Sequence, residues 1–133
     1  MKRKFLLSKL HSAKVTGADL YYEGSFGIDT ELMEVAGILP NEQVHIYNVN
    51  NGERFSTYAI PAERGSRIMC ANGACAHRVS AGDRVIICTY VELEEKEYQN
   101  FSPTVLLLDE FNNFIIKAKV LAEEVVPIIR TGS

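Results

Sequence analysis

An Asn-Gly pair between two strand-like runs is the feature that most constrains how this chain can fold. The pair is Asn51-Gly52, and the runs are residues 43–49 and residues 53–60. Asn and Gly both accept the positive φ angles that a tight turn between paired strands requires, so the pair is a strong hairpin signal. The sequence therefore predicts an antiparallel hairpin in the middle of the chain.

Most of the remaining chain also has the pattern of short strands separated by turns. Further strands are predicted at residues 9–16, 20–23 and 84–91, with a last hairpin at residues 104–108 and 114–120 around Asn112-Asn113. A second Asn-Gly pair, Asn72-Gly73, predicts another hairpin turn.

One helix is predicted in the first third of the chain. Asp29 or Thr30 supplies its N-cap, and Gly37 provides the stop. Its apolar face consists of Leu32, Val35 and Ala36. The acidic stretch EEKEYQN predicts a further helical turn at the surface. Many strands and one good helix favour a single mainly β barrel domain, residues 1–133, over a parallel βαβ sheet.

The composition is that of an ordinary globular protein and argues against several functional classes. The 133 residues include 14 Lys and Arg against 17 Asp and Glu, with a net charge of -3 and a pI near 5.6. A nucleic-acid-binding protein needs a basic face. No apolar run approaches the roughly 20 residues of a membrane-spanning helix, and the run after the basic start is too short for a signal peptide. We therefore expect a cytoplasmic protein with no nucleic-acid or membrane partner.

The cysteines and histidines form no recognisable disulfide or metal pattern. The chain has three cysteines, Cys70, Cys75 and Cys88, and their spacing includes no C-x-x-C pair. The histidines lack metal-ligand spacing: His11, His45 and His77. We expect free, partly buried thiols and no metal.

Several polar residues on predicted strands are candidates for a site. Lys9 and His11 share one face of a strand, and Arg54 and Tyr58 share one face of another. Thr57 points to the opposite face of an unbroken strand, so joining it to Arg54 and Tyr58 requires a bulge or a strand end nearby. The alternative to a functional role for each of these residues is an ordinary solvent-exposed polar side chain.

The Gly24-Ser25 pair in YYEGSFGID lies between two strand-forming runs. Taken alone, the pair predicts a turn, since Gly and Ser are common turn residues. The chain has no G-x-S-x-G elbow, phosphate-binding loop or dinucleotide motif, and no local spacing supports a triad of Ser25 with a histidine. The residue pattern alone indicates a small β-barrel of unassigned function.

Three long segments carry a resemblance to one family: KLHSAKVTGADLYYEGS, VNNGERFSTYAIPAERGSR and ANGACAHRVSAGD. From about residue 5 to residue 92 the chain resembles, without gaps, the aspartate 1-decarboxylases, pyruvoyl-dependent enzymes that make β-alanine for pantothenate synthesis. The end of the chain, at about residues 118–133, is an extension without a counterpart. The resemblance implies a double-psi β-barrel with one or two short helices.

The resemblance also implies that the chain cuts itself at Gly24-Ser25. In this family the Ser25 hydroxyl attacks the Gly24 carbonyl, and elimination from the resulting ester leaves a short β chain (residues 1–24) and an α chain (residues 25–133). Ser25 becomes a pyruvoyl group that forms a Schiff base with the substrate and accepts the electrons of decarboxylation, without metal or pyridoxal phosphate. Gly24 suits the attack because a residue without Cβ lets the hydroxyl approach closely.

The resemblance assigns a role to each matching residue. Thr57 acts in self-processing and contacts substrate, while Tyr58 donates a proton to the carbanion. Arg54 pairs with a substrate carboxylate, and Lys9 is a second cation suited to a diacid. The substrate-binding loop comprises Asn72 and the backbone of Gly73, Ala74 and Cys75. The same region is lined by His11, Tyr22 and Tyr47.

Three departures from the family pattern stand out. Tyr47 replaces a Trp found in many relatives, Cys75 replaces a small apolar residue, and the pair Phe26-Gly27 could alter the rate of processing. The family implies a homotetramer that acts on L-aspartate at sites between subunits, with or without a maturation factor. Two alternatives stay open: a double-psi barrel that only binds or assembles, and a pyruvoyl decarboxylase for another amino acid.

Overall fold

The structure is a computed structural model that describes residues 1–20 and 24–117. Strands dominate this part of the chain, and the mainly β fold with two short α-helices is confirmed. The elements in chain order are β1 (Lys2–Lys14), β2 (Gly17–Asp19), β3 (Ser25–Asp29), α1 (Thr30–Ala36), β4 (Gln43–Asn48), β5 (Arg54–Ala62), β6 (Met69–Asn72), a 3-10 helix (Gly73–His77), β7 (Arg84–Glu94), α2 (Glu95–Tyr98), β8 (Thr104–Leu108) and β9 (Phe114–Lys117).

The strands form one sheet with the order β2-β6-β3-β5-β4-β7-β1-β8-β9. Three pairs are parallel, namely β1 with β8, β2 with β6 and β3 with β5. The predicted hairpin of β4 and β5 is confirmed as an antiparallel pair, and Gly52 in its turn has a φ of 76°. Parallel pairs join strands that are distant in sequence, so the sheet is more than a series of hairpins.

The core is built from alternate positions of the strands. Its fully buried members include Leu10, Phe26, Ile28, Val44, Ile46, Ala59, Met69, Ala71, Ile87 and Leu106. Because successive strand side chains point to opposite faces, the residues between these positions face away from the core. This alternation decides which candidate residues share a surface.

Helix α1 begins and ends as predicted. Asp29 is its N-cap and accepts a 2.9 Å hydrogen bond from the backbone N–H of Glu31, while Gly37 ends it with a φ of 77°. The buried Asp29 carboxylate also accepts hydrogen bonds from the backbone N–H groups of Gly65 and Arg67 and from the Arg67 guanidinium. These contacts anchor the far end of β3.

The predicted hairpin turn at Asn72-Gly73 is wrong. Gly73 does have a positive φ of 67°, but the 3-10 helix follows it, and β6 pairs with β2 and β3. The Asn-Gly signal concerns only the local backbone, and the strand that pairs with β6 is chosen by contacts distant in sequence.

Other boundaries differ because long-range pairing extends the strands. β1 begins at Lys2 and pairs with β7 as far as Glu94, so both strands are longer than their sequence patterns predict. Leu20 lies in a turn rather than in a strand, and the rest of the strand predicted at residues 20–23 lies outside the described residues, as do residues 118–120. None of the helices in the described ranges is long and apolar enough to cross a bilayer.

Candidate active site

Ser25 is the first residue of β3 and lies between two neighbouring strands. On one side it is directly opposite Asn72 of β6. On the other side Phe26 pairs with Ala59 of β5, so Ser25 is level with Tyr58 one position earlier. Phe26 and Ala59 face the core, and Ser25 and Tyr58 therefore face away from it. Ser25 is nevertheless only 2% exposed.

A side-chain hydrogen bond holds the Ser25 hydroxyl. The Nδ2 group of Asn72 donates to Ser25 Oγ across 3.1 Å, and Asn72 itself is 7% exposed. The serine oxygen is the acceptor, so this bond does not use the hydroxyl hydrogen. The strand register and the amide together fix where the potential nucleophile lies.

Cys70 is a neighbour that the sequence pattern did not single out. Its thiol donates to Asn72 Oδ1 across 3.4 Å, and both residues lie on the same face of β6. In the sequence, Cys70 and Asn72 are related only by a spacing of two residues. This spacing is too common to be informative until the neighbouring strand is known.

Gly24 and Thr57 lie where β3 begins beside β5. Two positions before the Phe26–Ala59 pair, Gly24 is level with Thr57. β4 and β5 pair in unbroken register from Tyr47–Arg54 to Gln43–Tyr58, so β5 has no bulge there and Thr57 points to the opposite face from Arg54 and Tyr58.

The space on the side of Gly24 where a side chain would lie is open. Gly24 is exposed, and a Cβ built on it would meet no described atom within 4 Å. This open space does not test the approach of the Ser25 hydroxyl to the Gly24 carbonyl, which stays a prediction.

The 3-10 helix follows Asn72 and presents the rest of the predicted loop. Gly73 is buried, Ala74 is exposed, and the half-buried Cys75 packs against the core. The Cys75 carbonyl accepts a 3.0 Å hydrogen bond from the backbone N–H of Arg78. The side chain of Cys75 thus packs against the core, while Ala74 is exposed to solvent.

Arg54, Tyr58 and Tyr47 lie on the outer side of β5 and β4. The Arg54 guanidinium carbon is 4.8 Å from the centre of the Tyr47 ring, in a cation–π arrangement. The Tyr47 hydroxyl is 2.7 Å from that of Tyr90 on β7. Burial, and next the hydrogen bond with Tyr47, raise the pKa of Tyr90 well above its ordinary value. Tyr90 is a second residue that the sequence analysis missed, since its contact depends on strand order.

Lys9 and His11 lie on the same outer side but farther along the sheet. Lys9 is opposite Cys88 of β7, and β7 and β4 separate it from β5. Neighbouring strands are about 4.8 Å apart, so Lys9 is on the order of 14 Å from β5 across the sheet. Burial raises the pKa of the Cys88 thiol, although a hydrogen bond with Tyr90 and the charge of Lys9 act in the opposite direction.

Most of the predicted residues, together with Cys70 and Tyr90, fall into two groups. We call the first the serine cluster; it comprises Gly24, Ser25, Cys70 and Asn72, which lie at the start of β3 and opposite it on β6. We call the second the outward face; it comprises Lys9, His11, Tyr47, Arg54, Tyr58 and Tyr90, and its Tyr58 is level with Ser25 on the neighbouring strand. One chain brings the serine cluster together and leaves Lys9 and His11 apart from it, and Tyr22 lies outside the described residues.

Comparisons with known proteins find sequence relatives that match most of the chain. The sequence profile of the family described as aspartate decarboxylase matches residues 1–115. The chain is 53% identical over 119 residues to the aspartate 1-decarboxylase of Psychromonas ingrahamii, which covers 90% of this chain and 94% of that protein. It is 54% identical over 113 residues to the aspartate 1-decarboxylase of Caulobacter vibrioides, covering 85% and 95%.

A likeness was also found among solved structures. The crystal structure of a rationally designed protein matches 58% of this chain and 90% of its own, with a TM-score of 0.44 and 20% identity, an overlap too small to assign a fold by itself. The sequence matches span the strands that hold Ser25, Asn72, Arg54 and Tyr58. The mixed parallel and antiparallel pairing agrees with the double-psi β-barrel that the resemblance implied. The chain belongs to the aspartate decarboxylase family.

Proposed function

We propose that this protein is an aspartate 1-decarboxylase that converts L-aspartate into β-alanine and carbon dioxide after cutting its own backbone at Gly24-Ser25. Family membership supports the reaction. The observation that carries the self-cleavage is the position of Ser25, which is buried at the start of β3 and held by Asn72, directly after an exposed Gly24. A simple turn residue needs none of these contacts.

The cleavage uses groups of this chain and one water molecule. Ser25 Oγ bonds to the Gly24 carbonyl carbon, the Gly24–Ser25 C–N bond breaks, and the hydroxyl proton passes to the new amine. Ser25 then loses its Cα proton while the Cβ–Oγ bond breaks, which releases Gly24 as a carboxylate. Water replaces the nitrogen, which leaves as ammonia, and a ketone remains at residue 25.

The surroundings of Ser25 fit such a keto group. Pairing with Asn72 fixes the backbone of residue 25, and the Asn72 amide offers a donor beside it. When present, the keto group supplies the electron sink that decarboxylation of an amino acid requires. No metal or pyridoxal phosphate is needed for this chemistry.

The remaining residues bind the diacid and move one proton. Arg54 and Lys9 neutralise the two carboxylates, and the Tyr47 ring limits the positions open to Arg54. Tyr58 delivers a proton to carbon. Thr57, Asn72 and the backbone of Gly73, Ala74 and Cys75 contact the substrate, while His11 and Tyr22 line the site.

We also propose that sites form between subunits of a homotetramer in the cytoplasm, where the product serves pantothenate synthesis and a maturation factor can assist cleavage. The separation of Lys9 from the serine cluster within one chain supports shared sites. Large apolar side chains on β8, β9 and the turn between them are exposed and suit burial against another copy: Leu107, Phe111, Ile115 and Ile116.

Intact-mass spectrometry under denaturing conditions tests the proposal. We expect two pieces, one of 24 residues and one of 109, and a mass gain on the longer piece after borohydride reduction in the presence of L-aspartate. Ser25→Ala should stay uncut and produce no β-alanine, while unfolding at the same temperature as the uncut wild-type chain. An uncut wild-type chain that forms no β-alanine, or a Ser25→Ala variant that does, contradicts the proposal.

A further inference from the structure

We propose that Cys70 is a positioning residue for self-cleavage, because its thiol orients the Asn72 amide so that Nδ2, and not Oδ1, faces Ser25 Oγ. The inference rests on the proposed function. It concerns a residue that would act through its hydrogen bond to Asn72.

The two hydrogen bonds form a directed chain across β6 and β3. The Cys70 thiol donates to Asn72 Oδ1 at 3.4 Å, and Asn72 Nδ2 donates to Ser25 Oγ at 3.1 Å. A thiol has one hydrogen to donate, and its other nearby acceptor, the Ala71 carbonyl, is farther away at 3.9 Å. An amide whose oxygen accepts from Cys70 must turn its NH₂ group toward Ser25.

The orientation of the amide matters most when the ester is eliminated. As the Cβ–Oγ bond breaks, negative charge develops on Oγ, and a donor held beside that atom stabilises it. With the amide reversed, Oδ1 would repel the developing charge, and the Ser25 hydroxyl would donate its hydrogen to Oδ1. An amide that turns Nδ2 toward Ser25 Oγ therefore favours both the attack on the Gly24 carbonyl and the elimination of the ester.

The environment keeps Cys70 protonated and in place. Burial raises the pKa of the Cys70 thiol, and the negative charge of Asp19 acts in the same direction, so the group remains a donor at neutral pH. A Cβ on Gly17 would be 3.7 Å from Cys70 Sγ, and one on Gly27 would be 3.9 Å from Asn72 Nδ2. Both are ordinary van der Waals distances, so Cys70 and Asn72 lie close beside the backbones of β2 and β3.

Cleavage kinetics test the inference with two replacements of similar size. Freshly refolded precursor is followed by mass spectrometry, with hydroxylamine added to capture ester. We expect Cys70→Ala to cleave about fivefold more slowly and to accumulate more ester, the effect of losing one modest hydrogen bond. Cys70→Ser keeps a donor and should cleave within about twofold of the wild-type rate. Both variants should unfold at similar temperatures.

A double replacement and a spectroscopic measurement separate the outcomes. Adding Cys70→Ala to Asn72→Ala should slow cleavage no further, since Cys70 acts through Asn72. Equal cleavage rates for wild type, Cys70→Ala and Cys70→Ser overturn the inference but leave the proposed function standing. If the wild-type chain itself stays uncut, the proposed function fails. The Asn72 side-chain amide resonance still decides the hydrogen bond, because it should shift in Cys70→Ala and not in Cys70→Ser.

Discussion

The serine cluster and the outward face differ in how completely one chain builds them. In the serine cluster, Ser25 and Asn72 are almost fully buried and joined by a direct hydrogen bond. On the outward face, Tyr58 is 38% exposed, and Lys9 is separated from it by two strands. The proposed cleavage therefore uses residues that one chain brings together, whereas the proposed binding of a diacid uses Lys9 and Arg54, which lie apart within one chain.

Tyr58→Phe is the strongest way to separate the two regions. We expect normal cleavage into two pieces but a kcat for aspartate about 10³-fold lower, because general-acid catalysis is lost while the ring is kept. Tyr98→Phe is the matched control, since Tyr98 stacks on Phe5 away from the site. Slow cleavage together with normal turnover in Tyr58→Phe would reverse the assignment of the two regions.

Arg54→Ala tests whether the outward face binds the substrate. Loss of a charge-assisted pair with a carboxylate should raise the KM for aspartate by about 50-fold and leave the cleavage rate unchanged. Arg64→Ala is the control, because Arg64 forms only an exposed ion pair with Glu34. An unchanged KM in steady-state assays would remove Arg54 from the site.

Asp29→Asn tests whether the hydrogen bonds of Asp29, at the end of β3, stabilise the strand that carries Ser25. Burial raises the pKa of the Asp29 carboxyl, but hydrogen bonds from Arg67, Gly65 and Glu31 outweigh burial and hold it below its ordinary value of 3.8. We expect the variant to lose about 2 kcal/mol of unfolding free energy at pH 7. Denaturant titrations with Glu110→Gln as control measure this loss.

The pH dependence of that loss has a definite sign. A carboxyl whose folded-state pKa is depressed contributes full stability above its ordinary value, and the contribution disappears as the pH falls through the folded-state pKa. The difference between wild type and Asp29→Asn should therefore shrink as the pH falls below about 3.8. A difference that grows on acidification would contradict the role of the charged carboxylate.

Tyr90→Phe has the smallest expected effect and sharpens the comparison within the outward face. Removing the hydroxyl that contacts Tyr47 should loosen the ring beneath Arg54 and raise the KM about threefold, with kcat and cleavage unchanged. Tyr47→Phe should give the same increase, and the double variant should add nothing more. Additive increases would mean that the two hydroxyls act separately.

The local part of the fold was predictable from the sequence. Asn51-Gly52 predicted the β4–β5 hairpin, and Asp29 and Gly37 predicted both ends of α1, because these signals act over a few residues. Asn72-Gly73 misled for the same reason. Its glycine has the expected φ, but the partners of β6 are strands β2 and β3, which lie far earlier in the chain.

The site was predictable mainly through resemblance to a family. The pattern alone placed Arg54 and Tyr58 on one strand face and Thr57 on the other, and the register confirms that division. The pattern could not identify Cys70 or Tyr90, because their contacts with Asn72 and Tyr47 arise only when distant strands are placed side by side.

The start of β3 at Ser25 has a consequence for the matured protein. The bond proposed to be cut lies just before β3, so the pairs of β3 with β5 and β6 from Phe26 onward lie outside the cleavage position. The proposed 24-residue fragment contains β1 and β2. These strands pair with β7, β8 and β6 of the larger fragment. The two fragments should therefore behave as one folded body with no covalent link between them, and only denaturation should release the smaller one.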